Sequence, residues 1–288
     1  MDVSVNEIIT GRKCFFVFPD TSLILPSYLE EYFSLGYECY FVEYDKKATL
    51  QKKIKTILSL FNDVIIFFNI DYPVPDLDWA DYIQELIWDK GDARSFGVLF
   101  TKRQSVAEKT KMEKRYLYDM GLQCGCIQLE YQKKTNFELI AKTLFANQAQ
   151  GRRKTIRALC TSTCTYTFFL GNKDSSVSGS LQDISLSHFT ILSKDAPLNV
   201  KIYEKIHDIH FNIRGYLFHS DAILVMERPS GDNMLYVFAF VTSTGQNGLD
   251  NRTRALLIPV LYNILSTNCK ALLEEYYKKD DKKEPESE

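Results

Sequence analysis

Residues 151–160, GRRKTIRALC, set Arg152, Arg153, Lys154 and Arg157 within six positions. Four cationic side chains in so short a stretch cannot all be buried, because each buried charge needs a partner. With 35 Lys and Arg against 37 Asp and Glu, the chain has no excess of positive charge, so any recognition of an anion is local. Arginine is suited to that work, since its planar fork binds phosphate oxygens in pairs where lysine supplies only a point charge. Other constellations point to less. CGC at 124–126 and CTSTC at 160–164 have no second ligand pair at zinc-binding spacing. In HDIH, His207 and His210 would point to opposite faces of a strand, so no metal site is expected. GNKDSSVSG lacks the lysine spacing of a phosphate-binding loop and no Ser/His/Asp order stands out, so no catalytic residues are assigned and a non-enzyme is expected.

The 288 residues suffice for two ordinary domains, and 45% hydrophobic with 13% aromatic residues can build their cores. A net charge of −2 argues against a general nucleic-acid coat, so no nucleic acid is expected as partner. The start, MDVSVNEIITGRK, has no charged region followed by an apolar stretch, and no run approaches eighteen uninterrupted apolar residues. A cytoplasmic protein without membrane insertion is expected. Seven cysteines at irregular positions fit a reducing compartment, where they act as small core hydrophobes.

The elements that must position the arginines come in two styles. In the first half, apolar runs read as buried strands at 13–18, 37–44, 63–68, 96–101 and 125–129. Helical patterns fill the gaps, among them TLQKKIKTILSLF, WADYIQELIW behind Asp78 as N-cap, and NFELIAKTLFANQ, with Gly36 and Gly121 at helix ends. Five strands alternating with helices predict a doubly wound parallel sheet of flavodoxin-like size.

This half resembles the receiver domain of response regulators. In DVIIFFNIDYP, Asn69 occupies the place of the phosphoacceptor aspartate, four residues before Pro73. The acidic pair after the first strand is reduced to Asp20, Thr101 matches the switch hydroxyl, and Lys133 stands near the place of the family's lysine. Asp71, two residues past the strand tip, is the one substitute acceptor at hand. The resemblance implies a pseudo-receiver over residues 1–148, with Asn69 as a degenerate phosphoacceptor position.

After Gln150 the period turns strand-like. ALCTSTCTYTFFLGN, SVSGSLQDIS, HFTILSK, NVKIYEKIHDIHFNIRG, YLFHSDAILVMERP and NMLYVFAFVT predict six strands, with a hairpin turn in ERPSGDN. Leu261, Ile264, Leu265, Asn268 and Leu272 share one helical face, and Pro259 either begins or kinks that helix. A small closed β-barrel capped by a helix is expected over residues 149–277, and a disordered charged tail over 278–288.

RKTIR (Arg153 to Arg157), an R-x-x-x-R pattern, is followed about 25 residues later by DISLSH (Asp183 to His188). Together with the all-β region, this is similar to the PilZ domain, whose signature joins R-x-x-x-R to D/N-x-S-x-x-G. The resemblance covers residues 149–277 and implies a bacterial receptor for cyclic-di-GMP. Arg153 and Arg157 would grip its phosphates or guanine edges, and Asp183 and Ser185 would accept guanine N–H protons. No other cofactor is implied. The position of the final glycine is held by His188, whose ring would either obstruct or stack on a guanine. Two functions follow: a second-messenger receptor that reorients its domains and regulates an unidentified protein partner, with motility as one output, or a ligand-independent adaptor.

Overall fold

The computed structural model describes residues 4–45, 48–88, 94–101, 105–151, 154–170, 175–193 and 198–281. By internal contacts the chain divides into two compact units. One is formed by Ile9–Lys154 and Leu272–Glu288, the other by Met1–Ile8 and Thr155–Ala271. A short helix, α1 (Val5–Ile9), precedes the first strand.

The first unit holds strands β1 (Lys13–Val17), β2 (Cys39–Val42), β3 (Val64–Asn69), β4 (Arg94–Phe100) and β5 (Cys126–Gln128). Their order is β2-β1-β3-β4-β5 and every pair is parallel, the flavodoxin-like arrangement expected. Ile65, Ile66, Phe67 and Phe68 on the central strand are fully buried, each contributing roughly 1.5–3 kcal/mol. Helices α2 (Pro26–Ser34), α3 (Leu50–Leu60), α4 (Trp79–Trp88), α5 (Val106–Glu113) and α6 (Lys133–Ala146) alternate with the strands. The capping residues act locally as expected: Asp78 Oδ1 accepts from the backbone N–H groups of Ala80 and Asp81 at 2.9 and 3.0 Å. Gly36 and Gly121 follow α2 and the wide helical turn Lys114–Asp119 with positive φ.

The second unit is a barrel of β7 (Cys164–Leu170), β8 (Ser175–Ile184), β9 (His188–Ser193), β10 (Lys205–Ile213), β11 (Tyr216–Ser230) and β12 (Asn233–Val241). The ladder runs β8-β7-β10-β11-β12-β9, and the pairing of β9 with β8 closes six strands. Closure leaves those six strands no open edge. Alternate residues of β10, Ile209, Phe211 and Ile213, point inward, where Phe189 stacks on Phe238 and meets Phe211 edge-on, each at 5.0 Å. The hairpin expected in ERPSGDN forms around Gly231, at φ +60°, between the paired Ser230 and Asn233.

Two boundaries differ from expectation, and of the two placements left open for Pro259 the one inside the helix is found. ALCTSTCTYTFFLGN is two strands, because the hydroxyl-rich Thr161–Thr163 makes a turn, closed by Cys164 N–H on the Thr161 carbonyl, after a two-residue strand β6 (Ala158–Leu159). Pro259 lies inside helix α7 (Asn251–Asp281), whose first turn is capped by Asp250 Oδ1 through Arg252 and Thr253 N–H at 3.0 Å. Residues 278–281, Lys-Lys-Asp-Asp, expected in the charged tail, extend α7; the rest of that tail, 282–288, lies outside the described residues. Over Asn251–Lys278 this helix is long and apolar enough to cross a membrane on length and composition alone, yet its Leu257, Leu261 and Ile264 are fully buried.

Candidate functional site

β6 is the element that places arginine. It runs antiparallel to the end of β8, with Ala158 opposite Ile184 and Leu159 opposite Asp183. Cys160 N–H extends the ladder onto the Gln182 carbonyl at 3.0 Å. Asn268 of α7 donates to the Leu159 carbonyl at 3.0 Å, which ties β6 to the helix. The residue just before β6 is thereby fixed, and Arg157 Nη1 stands 3.7 Å from Asp183 Oδ2. That is an ion pair longer than a hydrogen bond, between a guanidinium 30% exposed and a carboxylate 9% exposed. The other carboxylate oxygen, Oδ1, accepts from Thr190 Oγ1 on β9 at 3.1 Å. Arg152 and Arg153 lie outside the described residues.

Ser185 opens the turn from β8 to β9. Its backbone N–H donates to the His188 carbonyl at 2.7 Å, and its Oγ accepts from the N–H groups of His188 and Ser187 at 3.0 and 3.3 Å. Only 1% exposed, Ser185 uses its hydroxyl inside the turn beside Asp183. His188 is the first residue of β9, paired with Ala239, and its φ is not positive. The position therefore needs no left-handed backbone in this chain, and a side chain is tolerated. Its ring is partly buried, and Nδ1 lies 2.8 Å from Ser187 Oγ. Ser187 Oγ is in turn 2.8 Å from Thr155 Oγ1. Burial, and then the charge of Arg157, hold the His188 imidazole below its ordinary value, with Asp183 opposing them, so the ring is neutral at pH 7.

Thr155, Ser187 and Thr190 belong to this cluster, and sequence reasoning singled out none of them. The available signal was the density of hydroxyls within and beside the two motifs.

The receiver-like positions form a second polar cluster. Asn69, 7% exposed, ends β3; its Nδ2 donates to the Phe18 carbonyl at 2.8 Å and its Oδ1 accepts from Asp71 N–H at 3.2 Å. Asp71 Oδ2 accepts from both the backbone N–H and the hydroxyl of Thr101, at 2.5 and 2.8 Å. Asp20 closes a local turn with Ser22, accepting at 2.9 Å from its N–H and 2.6 Å from its hydroxyl. Among the described residues no group of three or more His, Cys, Asp or Glu side chains could hold a metal ion.

No protein-family model matches the chain, and no curated protein does. Among solved structures it is similar to YcgR of Escherichia coli in complex with c-di-GMP, at 22% identity over 46% of this chain and 50% of that one, with a TM-score of 0.29. The PilZ domain of YcgR with c-di-GMP matches at 20% identity over 46% of this chain and 98% of the domain, with a TM-score of 0.28. The K. pneumonia MrkH–c-di-GMP complex matches at 16% identity over 41% of this chain and 55% of that one, with a TM-score of 0.35. The chain thus spans about half the length of the YcgR and MrkH chains it matches. Its own architecture is the one the PilZ resemblance implies: a closed six-stranded antiparallel barrel with a helix after it, preceded in sequence by a doubly wound α/β unit.

Proposed function

We propose that the barrel unit is a non-enzymatic receptor for cyclic-di-GMP, and that capture of the ligand regulates a protein partner. One observation carries this reading. The register of β6 on β8 brings Arg157, the second arginine of R-x-x-x-R, to Asp183 of D-x-S, although the two motifs are distant in sequence. Arg157, with Arg153, supplies bidentate donors to phosphate oxygens or to guanine O6 and N7, and Asp183 accepts guanine N–H protons, with Ser185 beside it. Each charge-assisted contact would contribute about 1.5–3 kcal/mol. Ligand contact at Arg153 and Arg157, at the start of the barrel (149–277) just after the pseudo-receiver (1–148), changes the surface presented to the partner. In this reading the protein works in the bacterial cytoplasm, with motility as one output, and uses neither nucleic acid nor membrane insertion.

Calorimetry with cyclic-di-GMP, using GTP and cyclic-di-AMP as controls, tests the proposal. Saturable heat with cyclic-di-GMP alone is expected. No saturation at about 100 µM ligand, in both wild type and His188→Gly, would leave the ligand-independent adaptor in its place.

A further inference from the structure

We infer that Thr155, Ser187 and His188 form a hydroxyl–imidazole chain that holds the arginine segment against the β8–β9 turn, and that His188 is its anchor. The inference rests on the proposed site, and it gives the residue that replaces the signature's glycine a positioning role.

Thr155 sits between the two arginines of R-x-x-x-R, two residues before Arg157. Its Oγ1 is 2.8 Å from Ser187 Oγ, and Ser187 Oγ is 2.8 Å from His188 Nδ1. The far end of the chain is anchored in the barrel. His188 is gripped by Ser185 through both its N–H and its carbonyl, and it pairs with Ala239 in the barrel. In the neutral tautomer that carries its proton on Nε2, the Ser187 hydroxyl donates to Nδ1, which leaves the Thr155 hydroxyl to donate to Ser187 Oγ. When the ring is protonated the same chain inverts: Nδ1–H donates to Ser187 Oγ, and Ser187 donates to Thr155. The link therefore survives in both protonation states, with Arg157 and Asp183 the charged groups acting on the ring. A glycine at position 188 would leave Ser187 without this acceptor. A segment held this way before ligand arrives has less conformational freedom to lose on binding, which raises affinity without a new ligand contact.

Tryptic cleavage of the full, ligand-free chain after Lys154 and Arg157 reads the device directly. Ser187→Ala, Thr155→Val and His188→Gly should each speed that cleavage about threefold to tenfold, the worth of one hydrogen bond, and weaken cyclic-di-GMP binding by a similar factor. Ser187→Thr and Thr155→Ser, which keep the hydroxyl, should restore both readouts, as should His188→Asn, whose carbonyl can accept from Ser187. Rescue by hydroxyl at an unchanged melting temperature separates positioning from loss of fold. Unchanged cleavage in Ser187→Ala and Thr155→Val overturns the inference. A wild type that ignores cyclic-di-GMP while the variants still lose protection would remove the ligand reading and leave the positioning chain standing.

Discussion

The two polar clusters of this chain differ in how far their groups are committed. At the end of β3, Asn69 bridges the Phe18 carbonyl and the Asp71 N–H, and Asp71 takes two donors from Thr101 at 2.5 and 2.8 Å. Ahead of β6, Arg157 faces Asp183 at 3.7 Å and stays 30% exposed. The first cluster is built as structure: its polar groups serve one another. The second keeps a cation 3.7 Å from a buried carboxylate, so a phosphate reaching Arg157 need not break a hydrogen bond between the two, while Asp183 Oδ1 stays bound to Thr190. A resemblance in sequence pattern marks both places, and the hydrogen-bond geometry separates the one whose chemistry is closed from the one proposed to remain open.

The largest effect that sharpens this contrast is on the ligand. Arg157→Ala should weaken cyclic-di-GMP binding about 10- to 100-fold by calorimetry, the loss of one charge-assisted contact. Arg157→Lys should recover only part, because the charge survives and the fork does not. Equal affinity in wild type and Arg157→Ala would break the comparison. Asn69→Leu should act in the opposite way. It leaves the Phe18 carbonyl without its donor and should cost about 1–3 kcal/mol in urea unfolding of the parallel-sheet unit, with no change in ligand affinity.

A smaller effect is set by pH. The folded-state value of His188 lies below its ordinary 6.5, so the stability this neutral ring contributes is fully present above pH 6.5 and is lost as pH falls through the folded value. His188→Gln should therefore lose less stability than wild type between pH 7 and 5, and the imidazole resonance should titrate below 6.5 in an NMR titration. The smallest expected effect is none at all. Incubation with acetyl phosphate and Mg²⁺ should add no phosphoryl group, and a modified Asp71 or Asp20 in the intact mass would overturn the pseudo-receiver reading.

Long apolar runs made the parallel strands legible, because both faces of the sheet are buried. Alternation and the Gly231 turn did the same for the barrel. Arg157 and Asp183 were singled out by motif spacing alone. β6 was not, since two residues carry no period, and yet this strand fixes Arg157 on Asp183. The Thr155–Ser187 contact joins residues far apart in sequence, and no local rule links them. Ser185 was read as a ligand acceptor from its place in the signature, whereas its 1% exposure and its bonds to His188 emerge only when the turn is folded. The last turn of α7 was missed because the composition of a charged helix end matches that of a charged tail.

Hydrogen exchange of the full chain with and without saturating cyclic-di-GMP tests the central claim most directly, since it interrogates both clusters in one measurement. Ligand-dependent protection is predicted over residues 155–159 and 183–190, with no change over 69–72 and 99–101. Protection over 69–72 and 99–101, with none at the arginine site, would contradict the assignment of ligand recognition to the barrel.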